Sequence, residues 1–380
     1  MTSAKSSFNN SQLFFRLSKN IEGEVLFDAF NRGRYSTDAS IYQIDPVGVV
    51  LPKTEQDLVR AVEISVDSGI PILARGGGTS QCGQTVNEAV VIDCSRHLNK
   101  VIDFNPEEKT ITVQPGLVLD HLNAFLKPYG LFFPVDISTA SRATIGGMTA
   151  NNSCGARSIH YGIMVDNVRA IDAFLPTGQH FKFAQTPGEL DELSANQGYK
   201  QIVTQVRDIA YRQSTELKKR FPKLKRRVGG YNLDTVDPTG HNMAKLLVGS
   251  EGTLATFKSI ELQLHEIPKH RVMGVCHFPS FYSAMDATQH IVKLKPVAVE
   301  LIDRTMIDLA RDIPIFRPVV ESFVKGEPGA LLLVEFAGEE FQYLTGKLKE
   351  LDRLMSDLGY RDAIIEAVEP AFQARIPEVR

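Results

Sequence analysis

A run of three glycines stands where the chain could bind a phosphate group. A short apolar segment leads into six residues with small or polar side chains: Arg75, Gly76, Gly77, Gly78, Thr79 and Ser80. Successive glycine N–H groups can form an anion-binding nest, and Arg75 adds a positive charge that suits a pyrophosphate. Taken alone, a triple glycine fits a tight surface turn better than a binding loop.

Two familiar phosphate motifs do not explain this run. Gly78 and Gly83 have the spacing of the loop found in nucleoside triphosphatases, but Gln84 occupies the lysine position. The G-x-G-x-x-G fingerprint also fails, because Gln81 stands three residues after Gly78. The sequence therefore excludes a triphosphatase loop and leaves a Rossmann site unsupported.

A second stretch of small residues spans positions 143–155. Its polar members are Asn151, Asn152 and Ser153, and Gly147 lies seventy positions after Gly77. Small residues allow a backbone to lie against a flat ligand, or against another backbone in a core. Two such stretches favour one large dinucleotide bound between them over two unrelated turns.

Composition excludes several classes of protein. The 380 residues include 43% hydrophobic and 23% charged side chains, as in globular proteins rather than disordered or fibrous ones. The 42 Lys and Arg against 45 Asp and Glu give a net charge of −3, which offers no electrostatic case for nucleic acid as the main partner. The four cysteines form no CxxC pair, so we expect reduced thiols and no metal site.

Apolar periodicity predicts an α+β chain. Thr54 is expected to cap a helix with an apolar stripe through Leu58 and Val62, between strands at 47–51 and 70–74. Further strands are predicted at 90–93, 109–114, 168–175, 246–252 and 255–264, and further helices at 118–127 and 199–219.

The composition and the apolar periodicity of the sequence change near Pro268. Beyond it, strands are predicted at 272–278, 297–302, 330–336 and 363–366, and helices at 281–293 and 339–358. This order predicts a separate α+β domain with helices on one face of an antiparallel sheet. We therefore expect domains at 1–267 and 268–380.

Several segments taken together resemble the FAD-binding domain of the vanillyl-alcohol oxidase type. They are residues 71–93, Gln114-Pro115-Gly116, residues 143–162 and the run from Leu247 to Leu254. Tyr35-Ser36-Thr37-Asp38-Ala39-Ser40 and Gly230-Tyr231-Asn232-Leu233-Asp234 resemble the D-2-hydroxyacid dehydrogenase branch, which includes the flavin subunits of glycolate oxidase and the D-lactate and D-2-hydroxyglutarate dehydrogenases. The resemblance covers residues 20–265 well and the remainder loosely. It implies a two-subdomain FAD-binding domain followed by an α+β cap domain for the substrate.

The resemblance also implies which residues bind FAD. They are Arg75, Gly76, Gly77, Gly78, Thr79, Gly83 and Gln84 at the pyrophosphate, Thr144, Gly147, Ser153, Gly155 and Val165 along the flavin and adenosine, and Glu251 and Gly252 nearby. Some relatives attach FAD through a histidine beside the first glycine loop. Thr79 and Ser80 are the side chains available there, so we expect non-covalent binding.

The implied reaction is hydride transfer from the α-carbon of a 2-hydroxy acid to flavin N5, while a base removes the hydroxyl proton. Arg226, Arg227 and Lys225 are candidates for binding the substrate carboxylate, although a solvated basic face explains this run equally well. The expected catalytic residues are His160, Arg227, Tyr231 and Asn232. Another flavin-dependent function, a reductase acting on a nucleotide sugar, is disfavoured by the Gly230–Asp234 motif.

The chain departs from the family pattern in its second half. The C-terminal histidine pair and the iron–sulfur cysteines of longer relatives are absent from it. We therefore expect a truncated cap domain, and as the alternative function an FAD-binding portion of a longer enzyme or an electron-transfer subunit that is inactive alone.

Location and partners follow from the same sequence. The polar N-terminal residues lack the apolar core of a signal peptide, and no apolar stretch reaches the roughly 18 residues of a membrane helix. We expect a cytoplasmic protein, with peripheral membrane contact left open. Its expected partners are a small 2-hydroxy acid and a separate electron acceptor or iron–sulfur protein.

Overall fold

The computed structural model describes residues 2–376. The helices are α1 Thr2–Asn20, α2 Ala29–Arg34, α3 Glu55–Asp67, α4 Leu119–Leu126, α5 Ile145–Asn151, α6 Ser158–Tyr161, α7 Met164–Asn167, α8 Gln197–Arg212, α9 Ser214–Arg220, α10 Ala244–Leu247, α11 Phe281–Ile291, α12 Arg304–Asp312, α13 Arg317–Phe323, α14 Phe341–Asp357 and α15 Pro370–Arg375. The strands are β1 Glu24–Leu26, β2 Gly48–Leu51, β3 Ile72–Arg75, β4 Val90–Asp93, β5 Val101–Asn105, β6 Thr110–Val113, β7 Leu131–Phe132, β8 Val168–Phe174, β9 His180–Phe183, β10 Gln185–Pro187, β11 Gly240–Asn242, β12 Thr256–Gln263, β13 His265–Glu266, β14 His270–Phe278, β15 Ala298–Asp303, β16 Ala330–Gly338 and β17 Ile364–Ala367.

The chain forms two compact units. Unit 1 comprises the chain up to Phe133, Ile137–Cys154 and Ile163–His265, and unit 2 comprises Pro134–Asp136, Gly155–Gly162 and the chain from Glu266 onward. Each unit has its own sheets and its own apolar core. The α+β fold class expected from the sequence is confirmed.

The first sheet of unit 1 has the strand order β1-β2-β4-β3, with β4 parallel to both β2 and β3 and β1 antiparallel to β2. Every residue of β2 and β4 is buried, as expected for parallel strands covered on both faces. Helix α3 connects β2 to β3, and its Leu58 and Val62 pack in one core with Leu13 and Leu17 of α1. The glycine run therefore begins at the end of a strand that is held in a well-packed sheet.

The N-terminus of α3 is fastened by two side chains. Thr54 Oγ1 accepts the Asp57 N–H at 3.1 Å, which is the expected cap. The buried Asp57 carboxylate accepts four backbone N–H groups, those of Glu22, Gly23, Lys53 and Thr54, at 2.8–3.2 Å. These bonds tie the segment that precedes β1 to the start of α3.

The second sheet of unit 1 is antiparallel, with the strand order β5-β6-β12-β8-β9. The expected strand at 246–252 is wrong: α10 ends at Leu247 and a turn follows it. Gly249, Glu251 and Gly252 have φ values of 81°, 52° and 73°, which are left-handed and incompatible with a strand. This turn leads into β12 beside the second glycine-containing segment.

Unit 2 contains an antiparallel sheet of order β15-β16-β14-β17. The expectation that helices cover one face of this sheet is wrong. Helices α11 and α14 pack on the face of Val272 and Val334, whereas α12 and α13 pack on the face of Val275 and Leu333. The nearly unbroken apolar run of β16 is the sequence pattern of a strand buried on both faces.

Candidate functional site

The two glycine-containing segments meet in unit 1. A Cβ atom on Gly76 would lie 2.1 Å from Thr144 Oγ1, and one on Gly77 would lie 2.4 Å from the Arg142 carbonyl oxygen. Only glycine permits so close an approach, because real Cβ contacts are longer. The predicted convergence of the two segments is therefore confirmed, and a cleft opens beside their contact.

The first wall of the cleft is the glycine loop itself. The N–H groups of Gly77, Gly78, Thr79 and Ser80 have no acceptor among the residues that the structure describes. Gly78 has a φ of 65°, so the loop turns through a left-handed residue. A turn with consecutive free N–H groups is a site where an anion can bind.

Arg75 supports this loop from below. Its Nη1 donates to the carbonyl oxygens of Tyr35 and Thr85 at 3.1 Å each, and its Nη2 donates to Thr37 O at 2.8 Å. The guanidinium also lies over the Tyr35 ring, 5.2 Å from its centroid. These bonds fix the Arg75 side chain against residues 35, 37 and 85, and direct contact of Arg75 with a phosphate stays a prediction.

The second wall is helix α5. Thr144 caps it, and the first N–H groups are already bonded: Ile145 to Leu117 O at 2.8 Å, Gly146 to Pro115 O at 2.7 Å and Gly147 to Thr144 Oγ1 at 3.3 Å. The helix therefore offers small surfaces rather than free donors. A Cβ on Gly147 would meet only Thr144 Oγ1 within 4 Å, so this position leaves room in the cleft.

The third wall is the turn between α10 and β12. Gly249 N donates to Thr149 O at 3.0 Å and Glu251 N donates to Ala150 O at 2.9 Å, which fastens the turn to α5. The Asn151 amide donates to Glu251 Oε1 at 2.9 Å. Partial burial raises the pKa of the Glu251 carboxyl, opposed by its hydrogen bonds.

The cleft has an empty volume of about 700 Å³, part of which is open to solvent. It is lined by Ala74, Arg75, Gly76, Ser80, Gln84, Thr85, Cys94, Pro115, Thr144, Gly146, Gly147, Ala150, Asn151, Glu251, Gly252, Ala255, Thr256 and Phe257. The buried Gln84 Oε1 has no hydrogen-bond partner, although buried polar atoms normally have one. The cleft thus offers one unpaired acceptor, four free N–H groups and a wall of small residues. These features fit an extended molecule that carries a pyrophosphate and hydrogen-bond donors, and FAD is such a molecule.

Not every residue expected at the cofactor lines this cleft. Seven of them do: Arg75, Gly76, Gln84, Thr144, Gly147, Glu251 and Gly252. Gly77, Gly78 and Thr79 belong to the adjoining loop, and Gly83 turns beside the Tyr42 ring. Ser153 Oγ donates to Asn151 Oδ1, Val165 N donates to Asn152 Oδ1, and Gly155 packs against Asp136 in unit 2. Their roles stay predictions.

The sequence did not single out part of the lining. Pro115, Gly146 and Ala150 carry no functional group, and Thr256 and Phe257 come from the start of β12. Gly146 is next to the expected Gly147, and Pro115 lies in the segment Gln114-Pro115-Gly116, which resembles the family but was not assigned to the cofactor. Such residues determine the shape of the cleft, and their residue types alone do not indicate that role.

The expected Arg227, Tyr231 and Asn232 lie in unit 1. The Tyr231 hydroxyl is 2.8 Å from Thr253 Oγ1, directly after cleft residue Gly252. Arg227 Nη2 donates to Asp234 Oδ1 at 2.6 Å, and its guanidinium lies 4.8 Å from the Phe221 ring centroid. The Asn232 amide is buried and donates to the carbonyls of Lys245 and Val248, so it supports the loop.

A second cavity of unit 1 is lined in part by this loop. Its empty volume is about 1,140 Å³, and Arg227, Asn232 and Asp234 line it together with Lys218, Lys223 and Lys225. Asn152 connects the two regions: its Oδ1 accepts the Val165 N–H at 3.0 Å and its amide donates to Arg227 O at 3.4 Å. The prediction of a substrate clamp at Arg227 remains open.

The expected base, His160, lies in unit 2. It is exposed on α6, with its ring edge-on to Tyr161 at 4.6 Å between centroids. The same short helix follows Arg157, whose Nε and Nη2 each donate to Glu335 on β16 at 3.2 Å. This ion pair anchors α6 on the sheet, and catalysis by His160 stays a prediction.

Between residues 2 and 376, no helix has the length and apolar character needed to cross a bilayer.

Two family descriptions match the chain. Residues 46–184 match an FAD binding domain, and residues 267–380 match the C-terminal domain of FAD linked oxidases. Together they cover the cleft-forming part of unit 1 up to β9 and most of unit 2.

Curated relatives are similar over most of this chain. The D-2-hydroxyglutarate dehydrogenase of Haemophilus influenzae is 31% identical over 353 residues, which are 89% of this chain and 34% of that protein. The enzyme of the same name from Escherichia coli is 32% identical over 347 residues, 88% of this chain and 34% of that protein. The glycolate oxidase subunit GlcD of Bacillus subtilis is 27% identical over 299 residues, 77% of this chain and 53% of that protein. The chain thus spans about a third of the length of the two dehydrogenases.

A solved structure with a similar fold is alkyldihydroxyacetonephosphate synthase. The TM-score is 0.68 at 18% sequence identity, covering 97% of this chain and 64% of that chain. At this identity the similarity concerns the fold.

Proposed function

We propose, on the premise that this chain belongs to the FAD-linked oxidase family of the vanillyl-alcohol oxidase type, that it binds FAD in the unit 1 cleft and oxidises a D-2-hydroxy acid of the lactate, glycolate or 2-hydroxyglutarate class. The observation that carries the proposal is the close contact of the two glycine-containing segments beside a cleft with free N–H groups. Bound FAD supplies a hydride acceptor for the carbon that bears the substrate hydroxyl.

The chain's own residues divide the work of holding the cofactor. The N–H groups of Gly77, Gly78, Thr79 and Ser80 are the donors for the pyrophosphate, and Gln84 Oε1 accepts a hydrogen bond from the cofactor. The backbones of Gly147 and Gly252 leave space along the cleft wall. Arg75 keeps the loop in place through its three carbonyl contacts.

Substrate binding and proton transfer are assigned to the expected residues. Arg227 binds the carboxylate of the hydroxy acid, because a guanidinium pairs strongly with a carboxylate. Tyr231 orients the hydroxyl group through its own hydroxyl, and Asn232 holds this loop through its carbonyl contacts. His160 takes the hydroxyl proton, since an imidazole can accept a proton near neutral pH.

FAD is held without a covalent bond. Thr79 and Ser80 are the side chains beside the glycines, and no histidine is among the residues described as lining the cleft. Cleft residue Cys94 is buried, which raises the pKa of its thiol to about 12 and keeps it protonated and unreactive. Acid precipitation should therefore release all flavin into the supernatant, and yellow colour retained in the pellet would contradict this.

The test is anaerobic mixing of the flavin-loaded protein with D- and L-2-hydroxy acids while the flavin absorbance is followed. We expect bleaching by a D-acid and none by its L-enantiomer. Arg227→Lys should raise KM for that acid more than it lowers kcat, because a lysine cannot form the bidentate pair. A chain that stays colourless after addition of FAD would contradict the whole proposal.

Bleaching by no acid, in a chain that holds FAD, would support the alternative function. That function is the FAD-binding portion of a longer enzyme, or an electron-transfer subunit that is inactive alone. The observation that favours it is the share of the curated dehydrogenases that this chain spans, about a third of their length. For either function we propose a cytoplasmic location and a separate electron acceptor or iron–sulfur protein as partner.

A further inference from the structure

A dense cluster of positive charge lies on the surface of unit 1, on residues that do not line the cleft. Seven of the ten residues from 218 to 227 are cationic and none is acidic, in a chain whose net charge is −3. We call these seven the cationic surface: Lys218, Lys219, Arg220, Lys223, Lys225, Arg226 and Arg227. All except Arg227 are exposed.

Few of these charges are neutralised within the protein. Arg220 pairs with Glu216 at 2.5 Å and Arg227 pairs with Asp234 at 2.6 Å. The four lysines of the cationic surface form no ion pair with any residue of the part of the chain that the structure describes. The C-terminal end of α9 favours nearby cations and so explains Lys218 and Lys219, but Lys223 and Lys225 lie beyond that end.

The cationic surface also carries exposed apolar area. Leu224 lies between Lys223 and Lys225 with 68% of its surface exposed. Leu217, Phe221 and Leu224 all line the second cavity, together with Lys218 and Lys223. An exposed leucine among lysines, at a cavity lined by both apolar and charged residues, matches groups that are anionic at one end and apolar at the other.

We propose that the cationic surface docks on a membrane that contains anionic phospholipids. The lysine ammonium groups lie against the lipid phosphates, and Leu224 enters the boundary between headgroups and acyl chains. Nucleic acid fits this surface less well, because Phe221, the aromatic residue within it, is covered by Arg227 and offers no free face for stacking bases. An acidic protein surface would also match the charges, and it is the competing outcome in the test below.

The docking can be measured without any catalytic assay. The full chain is sedimented with vesicles of phosphatidylcholine alone or of phosphatidylcholine with about one third phosphatidylglycerol. We expect binding to the anionic vesicles at low salt, weaker binding at high salt, and little binding to phosphatidylcholine alone.

Two variants separate the charge from the apolar contact. The triple substitution Lys218→Gln, Lys219→Gln and Lys223→Gln should weaken binding about 100-fold, since each lysine near an anionic surface contributes roughly fivefold. Leu224→Ser should weaken binding severalfold while leaving its salt dependence unchanged. The matched control removes three exposed lysines elsewhere, Lys127→Gln, Lys293→Gln and Lys349→Gln, and should bind as the parent does.

Three results would overturn the proposal. The parent chain could ignore anionic vesicles, the control could lose as much affinity as the triple variant, or Leu224→Ser could bind unchanged while the parent binds an acidic protein more tightly than vesicles. Unchanged thermal unfolding of every variant excludes misfolding as the cause. The result is independent of FAD binding, so the proposed function and the docking surface can fail separately.

Discussion

At the scale of single residues, the cleft depends on glycines, which have no side chain, more than on reactive groups. Gly76 and Gly77 have ordinary φ values and are required because the other segment is so close, whereas Gly78 is required for its φ of 65°. Two physical reasons therefore account for one run of three glycines. The three glycines are visible in the sequence, but the reason for each one is not. Whether a glycine lies close to residues 142–144 depends on the tertiary structure.

We predict that Gly77→Ala weakens FAD binding about tenfold and lowers the free energy of unfolding by about 1–3 kcal/mol. Its Cβ would lie 2.4 Å from a backbone oxygen, so one of the two segments must shift. Flavin fluorescence titration and denaturant unfolding measure the two effects.

Gly33→Ala is the matched control for this substitution. Gly33 lies in α2, and a Cβ there would have no atom within 4 Å. The control should keep its FAD affinity and unfold unchanged or gain up to about 1 kcal/mol, because alanine favours helix. Equal losses in the two variants would contradict the role assigned to Gly77.

At the scale of elements, α3 is the support whose failure should be most visible. We predict that Asp57→Ala lowers the free energy of unfolding by about 3 kcal/mol, because four partly buried N–H groups lose their acceptor. Asp67→Ala removes an exposed carboxylate at the other end of the same helix and should cost under about 1 kcal/mol. Urea unfolding measures the loss of stability in both variants. Similar losses in unfolding free energy would refute the special role of Asp57.

A buried histidine on β14 gives unit 2 a pH dependence. His277 Nε2 accepts the Lys325 N–H at 3.0 Å, and Nδ1 lies within 3.1 Å of the carbonyl oxygens of Val275 and Ala363. The ring must therefore be neutral, and burial lowers its pKa with the Lys325 charge acting in the same direction. Because the unfolded chain takes up the proton first, stability is fully present above pH 6.5 and falls below it.

We predict that the free energy of unfolding decreases between pH 7 and pH 5 by no more than about 1.4 kcal/mol per pH unit through this group. His277→Gln should be less stable at pH 7 and should lose less on acidification. His121→Gln, which replaces an exposed histidine on α4, should keep the parent's slope. A parent slope that survives His277→Gln would contradict the assignment.

The sequence predicted many elements of both units and missed a few for identifiable reasons. The strands at 90–93 and 330–336 and the capped helix after Thr54 were found because apolar period and cap residues are local signals. Helices α1, α12 and α13 were not expected, although Leu13 and Leu17 give α1 a buried apolar stripe. Short helices gain stability from the core that they cover, and no local signal reports that core.

At the scale of the whole molecule, the two units have separate cores. We predict two calorimetric unfolding transitions, of which FAD raises the one that belongs to unit 1. At a free concentration of about 100 times Kd, FAD should stabilise that unit by about 2.7 kcal/mol. Asp57→Ala should lower the unit 1 transition, and Glu335→Gln, which breaks the Arg157 pair, should lower the other.

A single transition that FAD shifts as a whole would contradict this assignment. So would an effect of Glu335→Gln on the FAD-sensitive transition. Glu216→Gln, which breaks only the exposed pair with Arg220, should leave both transitions within about 0.5 kcal/mol of the parent.

By itself the sequence determined many of the elements, that two glycine-containing segments exist, and to which family their residues belong. These properties follow from short-range backbone preferences and from residue types, which are written along the chain. Tertiary structure alone decided that Gly77 touches residue 142 and that the Arg75 guanidinium donates to backbone carbonyls. It also decided that Gln84 Oε1 has no hydrogen-bond partner and that four exposed lysines form no ion pair within the described residues. Those facts depend on which distant atoms come within a few ångströms, and packing of the whole chain sets those distances.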